Sequence, residues 1–204
     1  IEEVREFGDF EFYPTLDSDI ALIKKHIDLL GYDKPYSVLD IGVGDGRVLN
    51  AIAHEYGEKY AIEKSLPLIR ALPADIMIVG TDFMAQTLID IETSVIFCNP
   101  PFTQYSEFAS KIIAESLAPD VYLILPTRWS NNQAIKDALA RRKATFTILG
   151  NSDYRSADRP ARCTADVIHI SLSSCASRRW DRATVDVDPF AAWFSDNFDI
   201  DAQG

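Results

Sequence analysis

Short unbroken apolar runs alternate with amphipathic stretches along most of this chain. The runs predict strands at Val38–Ile41, Tyr60–Ile62, Ile76–Val79, Val95–Cys98, Val121–Leu125, Thr145–Leu149 and Val167–Leu172. Between them lie helical patterns. Ser18–Leu30 places Ile20, Ile23, Ile27 and Leu30 on one face, with Asp17 or Ser18 as its cap and Gly31 placed to end it. Arg47–Tyr56 carries Val48, Leu49, Ile52 and Ala53, with Gly57 following. Ser65 is positioned to cap Leu66–Leu72, where Pro67 falls in the tolerant first turn. Tyr105–Leu117 and Asn131–Arg142 complete the set. Strands without polar alternation, separated by helices, predict an α/β fold with a parallel sheet covered on both faces. The last two strand runs have no helix between them, only the Ser-, Asp-, Arg- and Pro-rich stretch Gly150–Ala165. They are expected to pair as an antiparallel end to the sheet.

Composition narrows the class. A chain of 204 residues with 47% apolar and 25% charged residues is one globular domain of ordinary size. No stretch approaches the roughly 20 apolar residues of a membrane span, so no membrane association is expected. Cys98, Cys163 and Cys175 cannot all pair and lack metal-type spacing, which points to a reducing, cytoplasmic setting. The chain opens on Ile1 without a signal-peptide pattern, and its start is read as trimmed or internal to a longer protein. His26, His54 and His169 are scattered over separate elements. No metal site and no Ser–His–Asp or Cys–His arrangement is expected.

The net charge of −11 is unevenly spread. Residues 128–182 contain eleven Lys/Arg against five acids, leaving that segment at +6 and the remainder at −17. A basic face on an acidic protein is one expectation from this pattern. The tail from Asp186 is acidic with interleaved aromatics.

The densest chemistry lies in Val38-Leu-Asp-Ile-Gly-Val-Gly-Asp-Gly-Arg47. A strand ends in Asp40, a loop with Gly42, Gly44 and Gly46 follows, and a helix begins at once. Alternate glycines let backbone turn sharply and approach a ligand, while a helix N-terminus offers free N–H groups. The spacing departs from the dinucleotide fingerprint, which needs a glycine or alanine where Arg47 stands.

This segment resembles the first motif of class I S-adenosylmethionine-dependent methyltransferases, and the resemblance covers roughly residues 10–172. It implies a Rossmann-like, seven-stranded, mostly parallel sheet with helices on both faces, ending in an antiparallel pair. It assigns residues 1–182 to the methyltransferase domain, with 1–31 as a cofactor-covering segment and helix, and 183–204 to an acidic tail. In the family's order, Glu63 after the second strand would accept the ribose hydroxyls, and Asp82 after the third the adenine amine. Phe83 would pack on the adenine face. Phe12-Tyr13-Pro14-Thr15 resembles the element that covers the cofactor's methionine part in adenine-N6 enzymes.

After the fourth strand comes Asn99-Pro100-Pro101-Phe102. Two prolines end a strand abruptly and stiffen the turn, presenting a fixed amide and carbonyl. Asn99 and the Pro100 carbonyl suit the two protons of a planar exocyclic amine, and Phe102 suits its ring. Because the methyl donor is a sulfonium, positioning carries the chemistry. The motif is similar to that of amino methyltransferases, above all adenine-N6 enzymes acting on DNA or RNA.

The resemblance implies methyl transfer to adenine N6 in nucleic acid, with DNA slightly favoured. A small ribosomal-RNA adenine-N6 methyltransferase, a glutamine-amide enzyme and a non-catalytic cofactor-binding scaffold are the alternatives. Tyr105, Trp129, Arg155, Arg159 and Arg162 are candidates to grip an extruded base and its phosphates. Too few residues lie outside the fold for a separate recognition domain, so short loops, a missing part or a partner subunit would read the target.

Overall fold

A computed structural model describes residues 14–32, 34–154 and 164–172. β1 (Val38–Ile41) lies in the interior of a seven-stranded sheet, parallel to β2 (Lys59–Ile62) on one side and β4 (Val95–Cys98) on the other. β3 (Ile76–Gly80) extends the β2 side, and β5 (Asp120–Pro126) follows β4, both in parallel. β7 (Thr164–Ser171) then pairs antiparallel with β5 and with the edge strand β6 (Thr145–Asp153). The order β3-β2-β1-β4-β5-β7-β6 is the mostly parallel sheet with an antiparallel end that the hydrophobic pattern predicts.

Strand alternation divides the core in two. Leu39 and Ile41 of β1 face α4 (Tyr105–Glu115) and α5 (Gln133–Arg141), which bury Ile112, Ile113, Ile135 and Leu139 against them. Val38 faces the other way, toward Ile20, Ile23 and Ile27 of α1 (Asp17–Leu30) and Leu49 and Ile52 of α2 (Arg47–Ile52). The short α3 (Leu66–Ala71) buries none of its residues. The chain leaves β1 for α2 on one face and β4 for α4 on the other. Such a divergence opens a crevice at the carboxyl ends of the two strands.

Several boundaries differ from the pattern, each for a local reason. α1 begins at Asp17 after an extended Leu16, without a side-chain cap from Asp17 or Ser18. α2 stops at Ile52, because His54–Gly57 closes into its own turn with the Tyr56 N–H donating to His54 Nδ1 at 3.0 Å. Ser65 precedes α3 but makes no capping bond with its hydroxyl. β6 runs on to Asp153 through a register shift after Ile148, since β7 pairs with its polar end as far as Thr164. Cross-strand pairing there overrides the weak strand preference of Gly150, Asn151 and Ser152.

A distant arginine completes the end of α4 at Glu115. The Arg142 guanidinium is buried and donates to the carbonyls of Ile113 (3.1 Å), Ala114 (2.6 Å) and Ser116 (2.9 Å). It thus satisfies the last carbonyls of a helix, where a cation is also favoured by the helix dipole. Arg142 belongs to the basic segment by sequence but contributes nothing to a basic surface. Arg142→Ala is expected to destabilise the fold by about 3 kcal/mol, from three lost charge-assisted bonds and the carbonyls left behind. Urea unfolding measures this, and Arg142→Lys should recover little of it, because a single ammonium does not reproduce the fork.

Candidate functional site

The loop after β1 is shaped by its glycines and pinned by one acid. Gly42, Gly44 and Gly46 have φ of +80°, +58° and +79°, a region that side chains rarely adopt. A β-carbon at Gly46 would also stand 3.0 Å from the Leu72 side chain. The Gly42 N–H donates to the Ile62 carbonyl at 2.8 Å, binding the loop to the end of β2. Glu63, one residue on, is buried and accepts the Gly44 N–H at 2.9 Å and the Ser65 N–H at 2.7 Å, one on each carboxylate oxygen.

Asp40 is the opposite case. It is buried on the α1/α2 side of β1, and neither carboxylate oxygen has a hydrogen-bond partner. Burial first, then the nearby Glu63 and Asp45, push its carboxyl well above the usual range. A buried acid without partners costs stability unless something meets it.

Both acids line a cleft of about 480 Å³ at the carboxyl ends of β1, β2 and β4. Pro14 and Thr15 form one wall; Ile62, Leu68, Met84 and the rings of Phe83 and Phe108 form another. Phe83 is buried, packs on Phe108 with centroids 4.8 Å apart, and carries the Lys111 ammonium 5.7 Å from its ring centre. Asp82 caps the single 3-10 turn Phe83–Ala85 by accepting the Met84 N–H at 3.0 Å, and pairs with Lys64 at 3.2 Å. The hydroxyl of Ser65, also at the cleft, is buried without a partner.

Asn99 and Pro101 supply the remaining wall. The turn they begin is closed by the Gln104 N–H donating to the Pro101 carbonyl at 2.9 Å. Asn99 Nδ2 donates to Thr15 Oγ1 at 3.2 Å, which commits the amide's donor end to the segment before α1 and orients its acceptor end. Pro100 is buried beneath the turn. Phe102 stands outside the cleft lining, half-buried, with its ring edge-on to Tyr154. Its carbonyl accepts from Arg128 Nη2 at 3.1 Å.

The remaining anticipated residues fall in three places. Tyr105 lies at the outer side of the turn, its ring centre 5.1 Å from the Arg128 guanidinium carbon. Trp129 is only 4% exposed; its Nε1 donates to Asp166 at 2.8 Å and its ring meets Phe146 edge-on, so it packs as a strand-end residue away from the cleft. Tyr13, Arg155, Arg159 and Arg162 lie outside the described residues. Phe108, Leu68, Lys64 and Gln104 line the cleft without having been anticipated. Phe108 carried no signal beyond helical spacing, and only the fold brings it to Phe83.

Cys98 is a free, buried thiol pushed well up by burial and by Asp40; Cys163 and Cys175 lie outside the described residues. Among the described residues no group of His, Cys, Asp and Glu is placed to hold a metal, and no helix is long and apolar enough to cross a membrane.

No family model and no curated protein matches this sequence. Solved structures do match its fold. A dimethyladenosine transferase from Plasmodium falciparum superposes with a TM-score of 0.63 at 14% identity, over 78% of this chain and 63% of that one. This chain therefore spans less than two thirds of that protein's length. The 23S rRNA methyltransferase ErmE gives 0.61 at 10% identity, over 90% and 84%. The E. cuniculi Mtq2–Trm112 complex, responsible for methylation of the eRF1 translation termination factor, gives 0.56 at 14% identity over 78% and 98%. The fold is the Rossmann-like fold of methyltransferases.

Asp40 gives this site a pH signature in the absence of ligand. Its raised native carboxyl stabilises the fold below the ordinary carboxylate pKa of about 4, and this contribution is lost as pH rises through the raised value. Asp40→Asn, neutral throughout, is therefore expected to gain stability relative to the unaltered protein as pH rises from about 4 toward neutrality. Urea unfolding of both proteins across that range checks the sign; a constant difference would contradict it.

Proposed function

We propose that this protein binds S-adenosylmethionine and methylates the N6 amine of adenine in nucleic acid, with RNA the preferred class. The orientation of Asn99 carries this reading. Its donor end is held by Thr15, and the residue lines a cleft that also holds two buried acids.

The residues of the cleft fit the cofactor. Two buried carboxylate oxygens of Asp40 lack partners, and a cationic ligand group would supply them. Glu63 holds the glycine loop with one lone pair on each oxygen, leaving acceptor capacity for ribose hydroxyls. Phe83, Phe108, Ile62 and Leu68 offer an apolar slot for a purine, with the Asp82 carboxylate beside it. The volume is that of a small-molecule site. When bound, the cofactor supplies a sulfonium-linked methyl group.

The protein's task is then to present an amine. Asn99 Oδ1 and the Pro100 carbonyl are the acceptors for its two protons, and the two prolines keep their spacing fixed. Accepting both protons draws the nitrogen lone pair out of conjugation and toward the electrophilic carbon. No general base is required before attack, because fixed dipoles and orientation lower the barrier.

The substrate class follows from charge and from the shape of the target side. Among the described cations of the basic segment, Arg142 is buried, and Arg141 and Lys143 precede β6 at the sheet end opposite the cleft. Arg128 stands at the catalytic turn. The flanks of residues 155–163, Tyr154 and Thr164, lie at the cleft end of β5. Arg155, Arg159 and Arg162 are the cations we assign to phosphate contact. A short basic stretch of sequence suits an unpaired or bulged base better than a long duplex. Sequence reasoning leaned toward DNA; the two neighbours named for adenosine or ribosomal RNA methylation support RNA instead.

Incubation with tritiated cofactor and separate pools of ribosomal RNA, single-stranded DNA, duplex DNA and protein tests the proposal. Label in RNA recovered as N6-methyladenosine is the expected result; label in glutamine or none at all would overturn it. Asn99→Ala is expected to lower kcat about 10²–10³-fold with cofactor affinity unchanged by calorimetry. Glu63→Ala should instead weaken cofactor binding, since it releases the glycine loop as well as the ribose acceptor.

A further inference from the structure

The first turn of α1 contains a buried acid that the chemistry above does not use. Asp19 is fully buried, and hydroxyl groups satisfy it: Ser152 donates to Oδ1, and Tyr154 donates to Oδ2 at 3.3 Å. These bonds join the start of α1 to the cleft end of β6 across more than 130 residues of chain. Burial pushes the Asp19 carboxyl up, only partly countered by the hydroxyls of Ser152, Tyr154 and Ser18. Simple packing would be better served by an apolar residue here.

What the arrangement holds is a ring. Tyr154 is fully buried, and its ring meets Phe102 edge-on at 5.5 Å with an interplanar angle of 87°. Phe102 is half-buried, and Arg128 holds its carbonyl. The terminal torsion of a phenylalanine is broad, so a half-buried ring needs an edge contact to define its plane. Four residues before Asp19, Thr15 holds the Asn99 amide. One short segment thus reaches both ends of the catalytic turn, Asn99 directly and Phe102 through Tyr154.

We infer that Tyr154 is a positioning residue: anchored to Asp19 by its hydroxyl, it holds the Phe102 ring in the plane that receives the substrate's flat ring. Only the activity arm of its test rests on the adenine reading.

The primary test needs no turnover. 4-Fluorophenylalanine placed at position 102 gives a fluorine resonance that reports ring environment and motion. In Tyr154→Leu the resonance is expected to shift and broaden, while the protein stays folded by circular dichroism. Tyr154→Phe keeps the ring and frees it from Asp19; it is expected to broaden the resonance less, and serves if the leucine variant does not fold. An unchanged resonance in a folded variant overturns the inference whatever the substrate proves to be.

The second arm uses the labelled RNA pool. Tyr154→Leu is expected to lower kcat about 10–100-fold, as misplacement of a reacting group does, with cofactor affinity unchanged. Combined with Phe102→Ala it should add no further loss, because both changes remove the same placement. Losses that multiply, or a matching loss of cofactor affinity, would overturn it. If the unaltered protein labels no adenine, the functional proposal fails while the fluorine measurement still decides the role of Tyr154.

Discussion

A carboxylate that accepts two backbone N–H groups organises the site. Glu63 reaches back from the end of β2 to Gly44 and sideways to Ser65, so one side chain ties the loop after β1 to the start of α3. Three residues of left-handed backbone would otherwise leave that loop many conformations. The loop carries few side chains to pack, and hydrogen bonding to a buried charge is the strong constraint open to it. The walls of the cleft stand in register because the two parallel strands deliver Asp40 and Glu63 to the same end of the sheet.

The two acids differ in how the fold satisfies them. Glu63 is satisfied by the protein itself, whereas Asp40, on the neighbouring strand, is not. The same logic separates Arg142 from Arg128. Arg142 completes a helix end in the interior, while Arg128 lies at the rim between the Phe102 carbonyl and the Tyr105 ring. In both pairs, one residue takes its partners inside the fold. The other, left open or paired at the edge, lies in or beside the cleft, and functional sites are where natural sequences depart from internal consistency.

Legibility in the sequence follows the range of the interaction. The parallel strands are readable because burial on both faces makes them continuous apolar runs, and β1, β4 and β5 fall within a residue or so of their expected bounds. Asp40, Glu63, Asp82 and Asn99 are readable as cleft residues because each lies within two residues of a strand's carboxyl end. What was hidden depends on partners far away in the chain. The polar end of β6 is a strand only because β7 pairs with it, and Trp129 turns inward only because Asp166 and Phe146 receive it. Asp19 and Tyr154 carry no local motif, and a separation of 135 residues hides their contact from any window-based reading.

Charge poses the remaining problem. For the proposed nucleic-acid substrate, a chain of net −11 cannot rely on a general field and must concentrate its cations where that substrate lands. The fold does so by removing some of them from that role. Arg142 is interior, and Arg141 and Lys143 belong to the opposite end of the sheet. At the cleft, Asp45 and Asp82 are paired with Arg47 and Lys64, burial pushes the Asp40 carboxyl up, and Glu63 is held by backbone N–H groups, so the described cations there are already engaged. Arg128 stands outside that lining, at the turn after β4. On the proposed reading, the phosphates of the substrate would be met there, and only a neutral base would enter the cleft.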